Sequence, residues 1–238
     1  MYCSSCRTGF PIENGTVQFI SPEELGGRNR QFARFYDWLS RFEAFSWKVF
    51  SLPAGGERKT RGEVLDRLDR NARRILEVSV GSGGNLRYLF ESPTVSHVCG
   101  LDISAGQLAR CRKIVAKRGW PVDLFLATAE KLPFKPESFD CVFHMGGINF
   151  FSEKKKAIDE MIRVARPGSR IVIADESERE ARMVARMAGL LGLQLGKESD
   201  LSPPVRLVPD TMQGIRIDGI WRAHGHYHGY RLEFTKPA

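Results

Sequence analysis

Ile75-Leu76-Glu77-Val78-Ser79-Val80-Gly81-Ser82-Gly83-Gly84-Asn85-Leu86 is the stretch on which the fold turns: an apolar β-run ends in a turn of small residues, and a helical pattern opens after it. At such a turn main-chain N–H groups face whatever lies beyond a helix N-terminus, and a β-carbon at Gly81 or Gly83 would block a ligand's approach. A nicotinamide site wants G-x-G-x-x-G, which requires a third glycine at position 86, where this chain has Leu86. Instead there are two acids: Glu77, four residues before Gly81, and Asp102, which ends the next strand in Cys99-Gly100-Leu101-Asp102-Ile103-Ser104. A carboxylate at that second position can accept both hydroxyls of an adenosyl ribose, a spacing that suits adenosine without a pyrophosphate.

Outward from this segment, short β-branched runs alternate with longer helical periods, the pattern of parallel strands joined by crossover helices. Strands are expected over 74–80, 97–102, 122–127, 139–144 and 169–175, and helices over 84–91, 105–118, 153–165 and 179–195, with Ser104 and Ser152 as N-caps. Arg166-Pro167-Gly168 should stop the third helix. Past Gly196, Pro203-Pro204 and Pro209 mark an irregular stretch before two more β-runs, 214–223 and 227–234, joined by a hairpin turn at His224-Gly225-His226. Upstream of the sheet, Phe32, Phe35, Leu39, Phe42, Phe45 and Val49 recur at helical spacing, a surface loop follows at 53–59, and 60–68 reads as a short amphipathic helix.

Three further segments complete a pattern: Ala129-Glu130-Lys131-Leu132-Pro133-Phe134, Ser138-Phe139-Asp140-Cys141-Val142-Phe143, and Arg163-Val164-Ala165-Arg166-Pro167-Gly168. With the strand-one motif and Asp102, in this order and spacing, the chain resembles over residues 60–238 the class I S-adenosylmethionine-dependent methyltransferases, in the group that includes the ubiquinone and menaquinone C-methyltransferases. The resemblance implies an α/β fold, a doubly wound, mainly parallel, seven-stranded Rossmann-like sheet with an antiparallel C-terminal hairpin and N-terminal lid helices. It divides the chain into a zinc-ribbon-like hairpin arm at 1–20, lid helices and loop at 21–62, and the S-adenosylmethionine-binding domain at 63–238.

The same resemblance assigns roles. Glu77 would orient the turn and the methionine amino group, with Gly81 and Gly83 close to the methionine part; Asp102 would hold the ribose, Ile103 would pack on adenine, Ala129 would offer its N–H to the ring with Glu130 beside it, and His144 would contribute its carbonyl. Ser79 stands where the family usually has its first glycine, and Thr128 where an acid commonly precedes the Ala-Glu pair. On the acceptor side His144, at the carboxyl edge of the sheet, is a candidate base, with a strand-capping role as the alternative. Tyr36 resembles a lid-helix residue that faces the acceptor, and core packing is its alternative. Methyl transfer from a sulfonium is an in-line displacement in which alignment and dehydration matter most, so a dedicated base is optional.

Composition narrows the function classes. The 238 residues are 42% hydrophobic and 27% charged, enough for one well-filled core plus an appendage and too apolar for disorder. No apolar run nears the roughly 18–20 residues of a spanning helix, and the first residues lack a secretory pattern; a cytoplasmic location is expected. Five cysteines, an odd number, make no disulfide framework. The net charge of +8 is spread along the chain, its longest run being Lys154-Lys155-Lys156, so nucleic acid is not the expected partner. Cys3 and Cys6 supply two of the four ligands a structural zinc needs, which leaves a vestigial hairpin or, alternatively, zinc shared in a homodimer. His224, His226 and His228 alternate, but a hairpin turn would splay them, and no metal site is assigned. The leading expectation is therefore a methyltransferase acting on a small, lipophilic or aromatic acceptor. An RNA methyltransferase and a non-catalytic S-adenosylmethionine-binding interaction protein are the rivals.

Overall fold

The strands assemble in the order β10-β11-β9-β8-β5-β6-β7-β4-β3, in a computed structural model that describes residues 1–3, 7–21, 24–39, 51–190 and 200–238. Five strands form the parallel centre: β5 (Arg74–Val78), β6 (His97–Asp102), β7 (Val122–Leu126), β8 (Phe139–Met145) and β9 (Ala165–Glu176). The chain steps outward from β5 through β6 to β7, then returns to the other side of β5 for β8 and β9, so the order reverses beside β5. Doubly wound sheets open their ligand crevice at the carboxyl ends of strands at such a switch point. The antiparallel pair β10 (Gln213–Ala223) and β11 (His226–Thr235) closes one edge against β9. Its connector has His224 and Gly225 both at positive φ, 49° and 81°, the turn that matches strand twist in a two-residue hairpin.

Both faces of the sheet are buried, as parallel strands require. Alternate residues of β5 serve opposite layers: Ile75 packs with Val98, Leu124 and Phe143 on one side, Leu76 and Val78 with Leu101, Val142 and Ile173 on the other. Helix α4 (Ala105–Arg118) begins as expected, the Ser104 hydroxyl accepting from the Gln107 N–H at 3.1 Å, and ends at Gly119 with φ +66°. Helix α5 (Lys154–Val164) starts without a side-chain cap. Ser152 does not cap it, because its hydroxyl donates to Asn29 Oδ1 at 2.9 Å and ties the loop to the N-terminal helix instead. Helix α2 (Glu57–Leu65) docks on the C-terminal hairpin through Trp221, whose indole N–H donates to the Thr60 carbonyl at 2.9 Å. Helix α3 (Leu86–Leu89) is a single turn after the glycine segment, and α6 (Glu178–Leu190) follows β9.

The sheet has nine strands where seven were expected, and the two extra come from the N-terminal arm. Strands β1 (Tyr2–Cys3) and β2 (Thr8–Gly9) pair with each other, but β3 (Ile12–Glu13) and β4 (Thr16–Gln18) extend the main sheet, β4 running parallel to β7 with Val17 opposite Phe125. Phe10 packs on Phe19 at 4.6 Å between centroids and Phe19 on Phe125 at 6.1 Å, covering an edge that would otherwise be open to pairing. Helix α1 (Gly27–Leu39) supplies the start of the expected lid. The aromatic positions 42–50 and the end of the helix expected over 179–195 lie outside the described residues, as does Cys6.

Candidate active site

The turn after β5 is held in left-handed backbone at alternate residues: Ser79 has φ +61°, Gly81 +54° and Gly83 +83°. A serine in this region costs about 1–2 kcal/mol relative to glycine, so the substitution of the family's glycine leaves the conformation intact at some strain. The Val80 N–H donates to the Leu101 carbonyl at 2.9 Å, and a Cβ on Gly100 would meet Val80 at 2.9 Å, which explains the glycine in the neighbouring strand. Asp102, 7% exposed, fastens the turn to the next helix: its Oδ2 accepts from the Gly81 N–H and its Oδ1 from the Ser104 N–H, each at 2.9 Å.

Glu77 lies beneath the turn, 1% exposed. Its Oε1 accepts from Asn85 Nδ2 at 2.7 Å, and its Oε2 is buried without a hydrogen-bond partner. Asn85 is oriented in turn by Arg61, whose guanidinium donates to Asn85 Oδ1 and, at 3.0 Å, to Glu57 Oε1. Burial pushes the Glu77 carboxyl up to about 8, against the opposing effects of Asn85 and Arg61. Arg61 and Asn85 were not among the sequence-predicted site residues. The signal for Asn85 was its place just before the helix; Arg61, on α2, carried none, since its approach to Gly84 is a tertiary contact.

Helix α1 closes over this crevice. Asn29 donates to Glu130 Oε1 at 3.1 Å, Phe32 stacks on Phe150 at 4.6 Å, and Asp37 accepts from the Ser104 hydroxyl and the Gly106 N–H at 2.5 and 2.9 Å. Tyr36 lines the cavity beneath the helix with Ile103, Ala129 and Glu130, alongside Glu77, Ser79, Gly81, Gly83 and Asp102. The imidazole of His144 does not line it. That ring is fully buried, its Nδ1–H donating to the Val78 carbonyl at 3.0 Å and its centroid 5.2 Å from that of Phe151 in a T-shaped contact, and burial lowers its pKa below the usual histidine value. A buried neutral imidazole bridging β8 to β5 is the strand-bracing alternative, and the base role for this side chain has no route to the cavity.

The cavity measures about 690 Å³, inside the roughly 300–1,000 Å³ typical of small-molecule and cofactor sites. Its polar end has a buried carboxylate oxygen lacking a partner at Glu77, an acid at Asp102 and a glycine turn that keeps side chains away; a Cβ on Gly83 would sit 2.7 Å from Cys111 Sγ. These donors and acceptors fit a ligand that brings a cation to Glu77 and a diol to Asp102. The same cavity is also walled by Phe32, Tyr36, Phe150, Phe151 and Met183, with Glu176 and Glu180 among them; neither acid was anticipated from sequence, where they are two of several acids after a strand. At the opposite ends of the strands His97, Cys99 and Asp123 gather three metal-type donor atoms within 4.8 Å, and burial pushes the Cys99 thiol up to about 11 in the free protein.

With this geometry in hand, comparison with known proteins identifies the central segment. A family model described as a methyltransferase domain matches residues 76–173. This segment is a methyltransferase domain. The chain is 31% identical over 146 residues to the demethylmenaquinone methyltransferase of Thermus thermophilus, covering 61% of this chain and 62% of that protein. It is 32% identical over 108 residues to the phthiotriol/phenolphthiotriol dimycocerosates methyltransferase of Mycobacterium tuberculosis, covering 45% of this chain and 39% of the relative. The matches thus span less than two thirds of either relative. Among solved structures, a methyltransferase of Thermotoga maritima described as a possible histamine N-methyltransferase superposes with a TM-score of 0.60 at 19% identity, over 88% of this chain and 100% of that one. The Haemonchus contortus phosphoethanolamine N-methyltransferase 2 superposes with a TM-score of 0.65 at 16% identity, over 90% and 61%. At these identities the likeness is one of fold, and the methyltransferase domain here shares its Rossmann-like sheet. No helix of the described residues is long and apolar enough to cross a membrane.

Proposed function

We propose that this protein transfers a methyl group from S-adenosylmethionine to a small, flat, lipophilic acceptor. The observation that carries the reading is a single cavity joining a polar end, built from Glu77, Asp102 and the Gly81–Gly83 turn, to an apolar end walled by Phe32, Tyr36, Phe150 and Phe151. When bound, S-adenosylmethionine supplies a methyl group carried on a sulfonium. Glu77 Oε2 pairs with the amino group of its methionine part. Asp102 accepts from the Gly81 and Ser104 N–H groups, and its carboxylate is the acceptor for the ribose hydroxyls. Ile103 packs on adenine, with Ala129 and Glu130 at the ring edge. The strained Ser79 keeps the turn, and Gly81 and Gly83 give the backbone its close approach.

Tyr36 and the stacked Phe32–Phe150 pair face the acceptor, and α1 excludes water from it. Holding the acceptor at a near-attack distance of ~3–3.5 Å accounts for several kcal/mol of the barrier. The relatives named for demethylmenaquinone and phthiotriol compounds support an acceptor with a ring or lipid character. Nucleic acid is not part of the reading, because the longest basic run is engaged within the chain: Lys155 pairs with Asp159 at 2.5 Å, Lys156 with Glu153 at 3.1 Å, and Lys154 donates to the Asp200 carbonyl.

The test is incubation with methyl-labelled S-adenosylmethionine and a cell extract divided into organic-soluble, aqueous small-molecule and RNA fractions. Label should enter an organic-soluble aromatic product. Label in RNA would replace this reading with an RNA methyltransferase, and tight cofactor binding with no labelled product would replace it with a binding protein.

A further inference from the structure

The cavity also holds a carboxyl that none of the roles above uses. Glu176 ends β9, and its main chain is fixed on both sides: its N–H donates to Asp175 Oδ1 at 2.9 Å and its carbonyl accepts from Asn149 Nδ2 at 3.1 Å. Its side chain lines the cavity, yet Oε2 is shut off from solvent and has no hydrogen-bond partner. An unsatisfied buried acceptor costs about 1–3 kcal/mol, a cost that a ligand's O–H can remove.

The surrounding groups leave Oε2 without a partner among the described residues, although the Glu176 carboxyl does meet the Asp175 side chain in a hydrogen bond. On its own strand Asp175 is fully buried, and its carboxylate is taken up by the N–H groups of Gly147, Asn149 and Glu176. From α6, Glu180 enters the same cavity, and its carboxylate is engaged by His228 Nδ1 of β11 at 3.0 Å. Also from β11 comes Tyr230, whose buried hydroxyl lacks a partner; from β8 comes the neutral His144 ring. Among its described residues, helix α1 contributes Asn29, Phe32 and Tyr36 to the cavity wall and no cation. Burial, reinforced by the negative charge of Asp175 and by a hydrogen bond with that side chain, holds the Glu176 carboxyl well above the ordinary carboxylate range. A carboxylate made this reluctant to ionise is a stronger proton acceptor once it has done so.

We propose that Glu176 is the acceptor-side base of this protein: its carboxylate binds, and then deprotonates, a hydroxyl on a flat apolar acceptor. This rests on the methyltransferase reading above and names the chemical class it acts on, a phenol-like compound. In the step the acceptor's O–H bond breaks, a Glu176 O–H bond forms, and the electron pair of the broken bond stays on the acceptor oxygen, leaving it or its conjugated ring carbon nucleophilic. The proton leaves by way of the neighbouring Glu180–His228 pair. The aromatic wall holds the ring while the unpartnered Oε2 of Glu176 selects for the hydroxyl.

The probes are 2-naphthol and 2-methoxynaphthalene, bound by titration calorimetry to the full chain saturated with S-adenosylhomocysteine, whose own binding is measured first. Wild type should prefer 2-naphthol by about tenfold or more, the ratio expected of a hydrogen bond to a charged acceptor, and the preference should grow with pH as Glu176 ionises. Glu176→Gln should abolish the preference and its pH dependence, and Glu176→Asp should keep a reduced one. An unchanged preference in Glu176→Gln would overturn the proposal, as would a wild-type preference that does not vary with pH; the latter decides the matter should the variants fail to fold. If S-adenosylhomocysteine does not bind wild type, it is the cofactor reading that fails.

Discussion

Binding of S-adenosylhomocysteine, which carries the amino-acid tail of the cofactor without the sulfonium, should expel a proton from the Glu77 pocket. Burial raises the Glu77 carboxyl from 4.5 to about 8 in the free protein, so at pH 7 about 0.9 of the population holds the proton. The ligand's ammonium, whose own carboxylate keeps it protonated to higher pH than a peptide terminus, remains charged there. An ion pair with Glu77 needs the carboxylate; the proton must leave, and affinity should climb roughly tenfold per pH unit between about pH 5.5 and 7.5. Calorimetry in phosphate and in Tris measures the release, since these buffers differ in protonation enthalpy. Wild type should release close to one proton, whereas Glu77→Gln should release none, bind roughly 10- to 100-fold more weakly at about pH 7.5, and lose the slope. The same group sets a stability signature. Because its folded pKa is raised, the neutral acid's full stability is present below about 4.5 and is lost as pH rises through about 8, by roughly 4–5 kcal/mol in all. Unliganded Glu77→Gln should therefore resist urea better than wild type at about pH 8.5 and equally at about pH 4. Binding heats identical in both buffers would refute the ion pair.

Asp102→Ala removes the acceptor for the Gly81 and Ser104 N–H groups as well as for the ribose, and should cost at least ~100-fold in S-adenosylhomocysteine affinity together with roughly 1–3 kcal/mol of stability; unchanged affinity by calorimetry would sink the assignment. Gly83→Ala combines a φ of +83° with a Cβ 2.7 Å from Cys111 Sγ and should destabilise by roughly 2–4 kcal/mol. Gly119→Ala, in the left-handed region at φ +66° with nothing within 4 Å, should cost only the conformational part, about 1–2 kcal/mol, and equal urea midpoints for the two would contradict the packing argument. Deleting residues 1–20 strips β3 and β4 from β7 and should lower the urea midpoint and promote aggregation through the bared edge; an unaltered midpoint and monodisperse scattering would mean the arm contributes nothing there.

Local chemistry made much of the site legible. The left-handed turn at Gly81 and Gly83, the acid at the end of β6 and the Ser104 cap are each decided within a few residues of chain, and a sequence pattern records such constraints directly. The order of β-runs and helical periods likewise implied a sheet that reverses at β5, because parallel strands joined by crossovers have few ways to pack. Ser152 misled because its hydroxyl had two competing partners, and the distant Asn29 won over the adjacent helix.

What the residues could not announce is whatever depends on partners far along the chain. Whether His144 faces ligand or core turns on the Val78 carbonyl across the sheet; whether residues 12–18 form a free arm or a sheet edge turns on Phe125 and Leu126. Arg61 reaches Asn85 only because α2 is docked by Trp221 of the hairpin. Sequence alone determined the methyltransferase sheet and the acids at its switch point, since backbone geometry and strand order are encoded locally. Only tertiary structure decided which buried groups lack partners, Glu77 Oε2 and Glu176 Oε2 among them, because the absence of a hydrogen-bond partner is a property of everything packed around an atom.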